Sequence, residues 1–497
     1  MRRSLWIGLF AMLATSCAQT VTVASPEIRR VNLETVDSGD DGALEAGEAQ
    51  PTVSPAEEHV EPGILNMAMV GEVQFDPAAA SVVNPAHMAL LDMLYDGLTS
   101  WDESSEDWEL RLATSLDPAA DGLSWTATLG SHSFSDGSAI TAADVERSLE
   151  RMLDAAETLA AARLEFVADV VAVDESTVRI DLTEPFALLP GLLSSPVYGI
   201  VPTEPDGTVG SGPMKFDGNA QLRPVVPDLG VEAVTIASVA SESDALALHS
   251  AGIVDLVFVG VEYEGAVDMS VPSWVEAHFV MNTDASDLGD VVSRSAVANA
   301  VSRSAVAESA FGSAAVAIDR VEPRTLACAD PCGGEEPSAL PFLPELSVGY
   351  VDEPSGVEAR LAGAFAVELA ALGAGAVPEG YDLDGFVGLV TGGNHHIVRN
   401  GWVGLFPSPD SQLAPYVSDS PENVSGYSSG DFDEAFAEAR ASGDVSTYAQ
   451  AASILRADSV VVPVSRLLIR ALVGGDVHNL QLRPDGSFDV QAIWVGG

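Results

Sequence analysis

Ser124-Trp-Thr-Ala-Thr-Leu129, Phe134-Ser-Asp-Gly137 and Ile140-Thr-Ala-Ala-Asp-Val145 follow one another within 22 residues. The first run alternates, with Trp125, Ala127 and Leu129 on one face, and predicts a half-buried strand. Ser135-Asp136-Gly137 supplies turn formers. Thr141 with Asp144 three residues on is a capping-box variant. Val145, Leu149 and Met152 continue at helical spacing, so a strand, a turn and an amphipathic helix are expected in succession. Two more strands are expected at Phe166 to Val173 and Thr177 to Leu182, joined through Asp174-Glu175-Ser176. Further on, Leu361, Phe365, Leu369 and Leu372 line one face of a helix from Val357 to Leu372, with Gly373 as its stop. Phe432 and Phe436 pair at i, i+4 in a helix from Asp431 to Arg440. Strands and helices intermix throughout, which points to an α/β or α+β chain. No repeat of fixed period is found.

At 497 residues the chain exceeds one ordinary core, so two or three lobes are expected. Its 74 acidic and 22 basic residues give a formal charge of −52, which excludes nucleic acid as a partner because a polyanion would be repelled. Lysine occurs once, at Lys215. Three cysteines are too few for a disulfide framework.

Arg2-Arg3 followed by the apolar run Leu5 to Ala14 reads as a signal peptide, too short to span a bilayer comfortably. It ends Leu13-Ala14-Thr15-Ser16-Cys17, which resembles a bacterial lipobox, with Ala14 where leucine is preferred. Cys17 is therefore expected to carry a lipid anchor; the alternative is an ordinary signal peptide with an incidental cysteine. Residues 18–62, acidic and without a sustained apolar period, read as a disordered tether. No later stretch reaches the length of a membrane span without charges or turn formers.

From Leu90 to Gly212 the order of motifs resembles the family 5 solute-binding proteins of ABC importers, the oligopeptide, dipeptide and nickel-chelate binders. The matching stretches are Leu94-Tyr-Asp-Gly-Leu98, Leu112-Ala-Thr-Ser115, Asp121 to Leu129, Phe134 to Gly137, Ile140 to Val145 and Gly210-Ser-Gly-Pro213. Ala245 to Leu256, Arg399-Asn-Gly-Trp402 and Asn423-Val-Ser-Gly-Tyr427 match later landmarks, and Gly130 stands where the family has arginine. The resemblance implies an α/β fold of two lobes with a hinge and an accessory subdomain, built from discontinuous regions. Residues 63–98, 201–281 and 473–497 would form lobe I, 99–200 the accessory subdomain and 282–472 lobe II. It also implies a non-enzymatic, monomeric receptor in the cell envelope on the extracytoplasmic side. That receptor would pass a peptide-like or other small solute to a permease with its ATPase, without a cofactor. A non-transport sensor of the same fold is the alternative. A secreted hydrolase is the third class; it would want a Gly-x-Ser-x-Gly elbow or a His-Glu-x-x-His helix, and neither is expected here.

The resemblance also suggests where a ligand sits. The strand ending in Arg399, Gly401, Trp402, Val403 and Leu405 would line the cleft, as would Val83 and Asn84. Trp402 offers a flat apolar face with one N–H donor, and Arg399 a fork suited to a carboxylate. The structural alternatives are a core tryptophan, an ion-paired arginine and a turn before Pro85. Peptide-binding relatives carry an aspartate three residues after this tryptophan, which meets the ligand's amino group; here the position is Leu405. A free amino terminus is therefore disfavoured unless Asp410 or another acid substitutes. His395-His396 would point to opposite faces of a strand, so no metal site is expected there. Cys328 and Cys332, outside the cytoplasm, are expected to form a local disulfide, with free thiols or a metal pair as alternatives.

Overall fold

The computed structural model describes residues 62–496, apart from 103, 104, 106, 156, 157, 219, 220, 228, 321–344 and 372. Cys17, the tether and the Cys328–Cys332 pair lie outside the described residues.

In chain order the strands are β1 (Gly63–Val70), β2 (Thr99–Asp102), β3 (Asp107–Leu110), β4 (Ala113–Pro118), β5 (Ser124–Leu129), β6 (Val167–Ala172) and β7 (Thr177–Leu182). They continue with β8 (Met214–Phe216), β9 (Gln221–Pro224), β10 (Val231–Val239), β11 (Leu256–Val259), β12 (Met269–Met281) and β13 (Ala315–Ala317). The last are β14 (Leu346–Val351), β15 (Ala376–Tyr381), β16 (Ile397–Val403), β17 (Val461–Val473), β18 (Val477–His478) and β19 (Trp494–Val495).

The alternation read at the outset forms β5, with Trp125, Ala127 and Leu129 buried and the Trp125 indole N–H donating to the Phe186 carbonyl at 3.2 Å. The helix Ala142–Asp154 begins where Asp144 accepts from the Thr141 backbone N–H at 2.8 Å and its hydroxyl at 2.7 Å. Its apolar face, Val145, Leu149 and Met152, is buried. Strands β4, β5, β7 and β6 make a four-stranded antiparallel sheet in that order.

The large sheet runs β15-β14-β16-β12-β17-β11-β1-β10-β9-β8, with β13 paired to β17. Parallel pairs at its two ends, β14 with β15 and β16 and β1 with β10 and β11, are covered by helices. Two antiparallel 13-residue strands, β12 and β17, run through the middle and join the two halves. Their register breaks between Pro272 and Glu276. Pro272 has no N–H for the ladder. The Ser273 hydroxyl fills the gap, donating to the Leu467 carbonyl at 2.8 Å and accepting from the Val275 N–H at 3.1 Å.

One apolar core unites the β1 half with the four-stranded sheet and its helix; two others sit on opposite faces of the β14–β16 half. The helix Val357–Ala371 buries Leu361, Phe365 and Leu369, and Gly373 at φ +88° ends it. In the helix Gly430–Ser442 the Phe432 and Phe436 rings stack 6.0 Å apart. Among the described residues no helix is long and apolar enough to cross a membrane.

Candidate functional site

In open sheets of parallel strands, ligands bind beyond the carboxyl ends of the strands. At those ends of β14 and β16 lies a small cavity of about 30 Å³. Arg399, Asn400, Gly401 and Trp402 line it from β16, His278 from β12, and Gln412, Tyr416 and Glu422 from the segment after β16. β16 pairs antiparallel with β12 over Ile397–Val403, which puts Glu276 across from Trp402 and His278 across from Asn400. Gly404 lets the indole fold back along its own chain: a Cβ there would fall 2.2 Å from the ring.

The arginines around this cavity are held by carboxylates. Arg399 is held by Glu358, with Nε to Oε2 at 2.8 Å and Nη2 donating to Oε1 at 3.0 Å, both residues being buried. Its fork is therefore occupied, because a buried guanidinium requires a carboxylate and Glu358, in the first turn of the helix Val357–Ala371, supplies one. Arg466 donates through Nε to Glu276 Oε1 at 3.0 Å. Burial pushes the Glu276 carboxyl up to about 7, against the pull of Arg466 and the Gln412 amide. Glu422 faces Arg163 at 3.9 Å. His278 is buried beside Arg399; burial first, and then that charge, push its pKa down to about 3, so the ring is neutral.

Several buried polar atoms beside it lack partners. Trp402, Gln412 and His278 are each 5% exposed or less. The Trp402 indole Nε1, the Gln412 amide oxygen and His278 Nδ1 make no hydrogen bond. The other nitrogen of His278, Nε2, is 3.3 Å from the Tyr416 hydroxyl. Buried polar atoms are rarely left unpaired in a folded chain, so their convergence marks this cavity as the candidate site.

The residues expected to share a cleft do not share a cavity. Trp402, Arg399 and Gly401 stand together. Val403 is buried, and its carbonyl accepts from Arg163 at 3.4 Å. Val83 and Asn84 line a separate cavity of about 180 Å³ at the carboxyl ends of β1 and β11. There the Asn84 side chain caps the helix Pro85–Leu94, accepting from the Ala86 N–H at 3.0 Å. Leu405 joins the core shared by the β1 half and the four-stranded sheet, as does Phe406. A Cβ at Gly191 would meet the Phe406 ring at 2.9 Å, so only glycine admits it there. Asp410 does not substitute for a carboxylate at position 405, because it is buried between the Tyr448 hydroxyl, which donates to it at 3.0 Å, and Arg440 Nε at 3.3 Å.

His395 Nε2 lies 3.0 Å from the Val424 carbonyl, whereas His396 Nδ1 meets the Ser347 hydroxyl at 3.0 Å. Among the described residues no group of three or more His, Cys, Asp or Glu could hold a metal ion. A groove of about 630 Å³ elsewhere is lined by Asp92, Asp96, Arg111 and Arg483 among others, with Arg111–Asp96 and Arg483–Asp92 pairs at 3.1 and 2.9 Å. Gly426-Tyr-Ser-Ser-Gly430 spells Gly-x-Ser-x-Gly, but a loop rather than a strand leads into it and Ser428 is exposed, so it is no nucleophile elbow.

No local pattern marks Glu276, Glu358, His278 or Gln412 as part of this site. The available signal was cross-strand: once β12 and β16 pair, Glu276 and His278 must share a face with Trp402 and Asn400.

The family described as bacterial extracellular solute-binding proteins, family 5 Middle, matches residues 107–423. No curated protein matches the chain by sequence. Among solved structures, the periplasmic murein tripeptide binding protein MppA in its unliganded open form is 19% identical with a TM-score of 0.75, covering 88% of this chain and 98% of that one. HbpA2 from Haemophilus parasuis is 18% identical with a TM-score of 0.76, covering 87% and 100%. NikA from Brucella suis in complex with Fe(III)-EDTA is 16% identical with a TM-score of 0.69, again covering 87% and 100%. These likenesses show a shared fold.

Proposed function

The chain belongs to the family 5 bacterial extracellular solute-binding proteins, a two-lobed α/β fold of extracytoplasmic receptors, and from that premise we propose that it is a lipid-anchored receptor of an ABC importer. It captures a peptide-like or other small solute between its lobes and delivers it to the permease, binding without catalysis and as a monomer. Cys17 is the acylated residue, and the acidic stretch after it holds the folded body off the membrane. Lobe I comprises residues 63–98, 201–281 and 473–497, the accessory subdomain 99–200 and lobe II 282–472. The two 13-residue strands common to both halves of the sheet serve as the hinge.

The observation that carries this reading is the cavity at the carboxyl ends of β14 and β16, with unmatched buried polar atoms around the Trp402 indole. Solved neighbours of the same fold include a murein tripeptide binder and a protein in complex with Fe(III)-EDTA, so the fold itself does not select the ligand. We place ligand contact at Trp402 and Gly401 on one lobe and at Val83 and Asn84 on the other. Arg399 acts on the ligand indirectly, by fixing β16 against Glu358.

The test is native mass spectrometry of the protein released from its own membranes. A stoichiometric small solute, absent from Trp402→Ala, is expected. Fractionation of Cys17→Ser should move the protein from membranes to the soluble fraction. A protein that carries no solute in any preparation, or a Cys17→Ser variant that stays on membranes, would overturn the corresponding half of the proposal.

A further inference from the structure

Two helices begin at the cavity of about 180 Å³ beyond β1 and β11. One is Pro85–Leu94, through Asn84, Pro85 and Ala86; the other is Glu242–Ser250, through Glu242 and Ala245. Each N-terminus carries about half a positive charge. Arg470 of β17, 3% exposed, lines the same cavity. Arg163, Arg399, Arg440, Arg466 and Arg483 each face a carboxylate, but Arg470 does not. Its Nη1 donates to the Gly260 and Tyr263 carbonyls at 3.2 and 3.0 Å, and its Nη2 to the Ser313 hydroxyl at 3.4 Å. Its Nε has no acceptor among the described residues. Asn84 adds a second unspent donor. Its Oδ1 accepts from the Ala86 and His87 N–H groups, and its Nδ2 has no acceptor among the described residues.

Glu242 is the one carboxylate of the lining, and its Oε2 accepts the Gly260 N–H at 2.7 Å. Glu242 therefore engages the N–H of Gly260 and Arg470 its carbonyl, and the two do not pair with each other. As formal charges they cancel. The two helix N-termini tip the balance and make the cavity attractive to an anion.

Resting on the placement of Val83 and Asn84 at the solute, we propose that this cavity binds a carboxylate carried on a short apolar body, either the acidic end of the solute or a small free acid. The carboxylate accepts from Arg470 Nε and Asn84 Nδ2. An ionised carboxylate only accepts, and it forms its strongest hydrogen bonds with a guanidinium. Val70, Val83, Val261, Val275 and Leu468 wall the rest of the space. A dry cavity of about 150 Å³ holds one benzene ring, so about 180 Å³ admits a branched chain of that size.

The experiment is calorimetry on the full chain with two pairs of probes. One pair is 4-methylpentanoate and 4-methylpentanamide; the other is leucine-ended tripeptides and the same peptides amidated at the carboxyl end. In at least one pair the acid should bind about tenfold more tightly than its amide, the scale of one hydrogen bond to a charged group. A preference confined to the peptides assigns the cavity to the acidic end of the solute. A preference shared by 4-methylpentanoate assigns it to small acids as well. Arg470→Met keeps the stem, removes the charge and should abolish the preference. Arg470→Lys keeps the charge and should restore part of it, which a merely structural arginine would not show. If neither variant folds, Val83→Phe fills the cavity with the guanidinium in place and should weaken the acid by about tenfold. Equal binding of acid and amide in both pairs overturns the inference, as does a preference that survives Arg470→Met and Val83→Phe; both leave the receptor reading intact. If no probe binds, the solute found by native mass spectrometry decides. One that bears a carboxylate and is lost from either variant supports the inference. One that lacks a carboxylate, or is retained by both variants, overturns the inference alone. The absence of any solute overturns both readings.

Discussion

Glu276 on β12 stands directly across the strand pair from Trp402 on β16, its carboxylate held by Arg466. Burial lifts this carboxyl to about 7 from an ordinary 4.5. The folded state therefore binds its proton more tightly than the unfolded chain. The associated stability is fully present below pH 4.5 and is lost as pH rises through 7, an effect of about 3 kcal/mol. Glu276→Gln should flatten that part of the curve. Urea denaturation of both proteins from pH 4 to 8 measures it, and parallel curves would refute the assignment.

Arg399 and Glu358 should behave as a unit. Arg399→Met alone leaves a buried carboxylate without its cation and should cost about 3–5 kcal/mol. The double replacement Arg399→Met with Glu358→Leu should recover most of that loss, and a double-mutant cycle in denaturant gives the coupling. Additive effects would mean that the two side chains do not depend on each other.

Gly404→Ala places a methyl group within 2.2 Å of the Trp402 ring and must displace it. Overpacking of this kind costs about 1–3 kcal/mol, and solute binding should fall with it. Calorimetry beside thermal melting separates the two effects. Retention of full affinity would place the indole outside the binding surface.

Arg440 spans two bodies. From the helix Gly430–Ser442 it reaches Glu184 at 2.5 Å and lies 5.3 and 5.4 Å from the ring centres of Phe166 and Phe186, while also holding Asp410. Arg440→Ala should lower stability by about 2–3 kcal/mol, largely through the buried Asp410 it leaves behind. The radius of gyration from small-angle scattering should grow as the four-stranded sheet and its flanking segment loosen from the helix Gly430–Ser442. An unchanged radius with unchanged stability would show that the contact is incidental.

Elements with strong local periodicity could be read from sequence. Leu361, Phe365 and Leu369 mark a helix face by spacing alone, and Trp125, Ala127 and Leu129 mark a strand face in the same way. Trp402 was legible through its motif. Its chemical surroundings were not, because they assemble over long separations. Glu358 meets Arg399 from 41 residues away and Arg466 reaches Glu276 across 190. Nothing within a helical turn or a strand repeat of Arg399 announces that its fork is occupied, so motif reading assigned it to a ligand. The same limit applies to Asn84, whose type and position before a proline suit a helix cap as well as a ligand contact.

Leu405 and Phe406, three and four residues past Trp402, are embedded in the core of the opposite body. The indole thus rides on a short lead made fast at both ends, by the β16 ladder on one side and by the Phe406 ring seated on Gly191 on the other. Any rotation of one body against the other tugs that lead and tilts the ring. The environment of a single aromatic side chain is thereby tied to how the two bodies are set against each other.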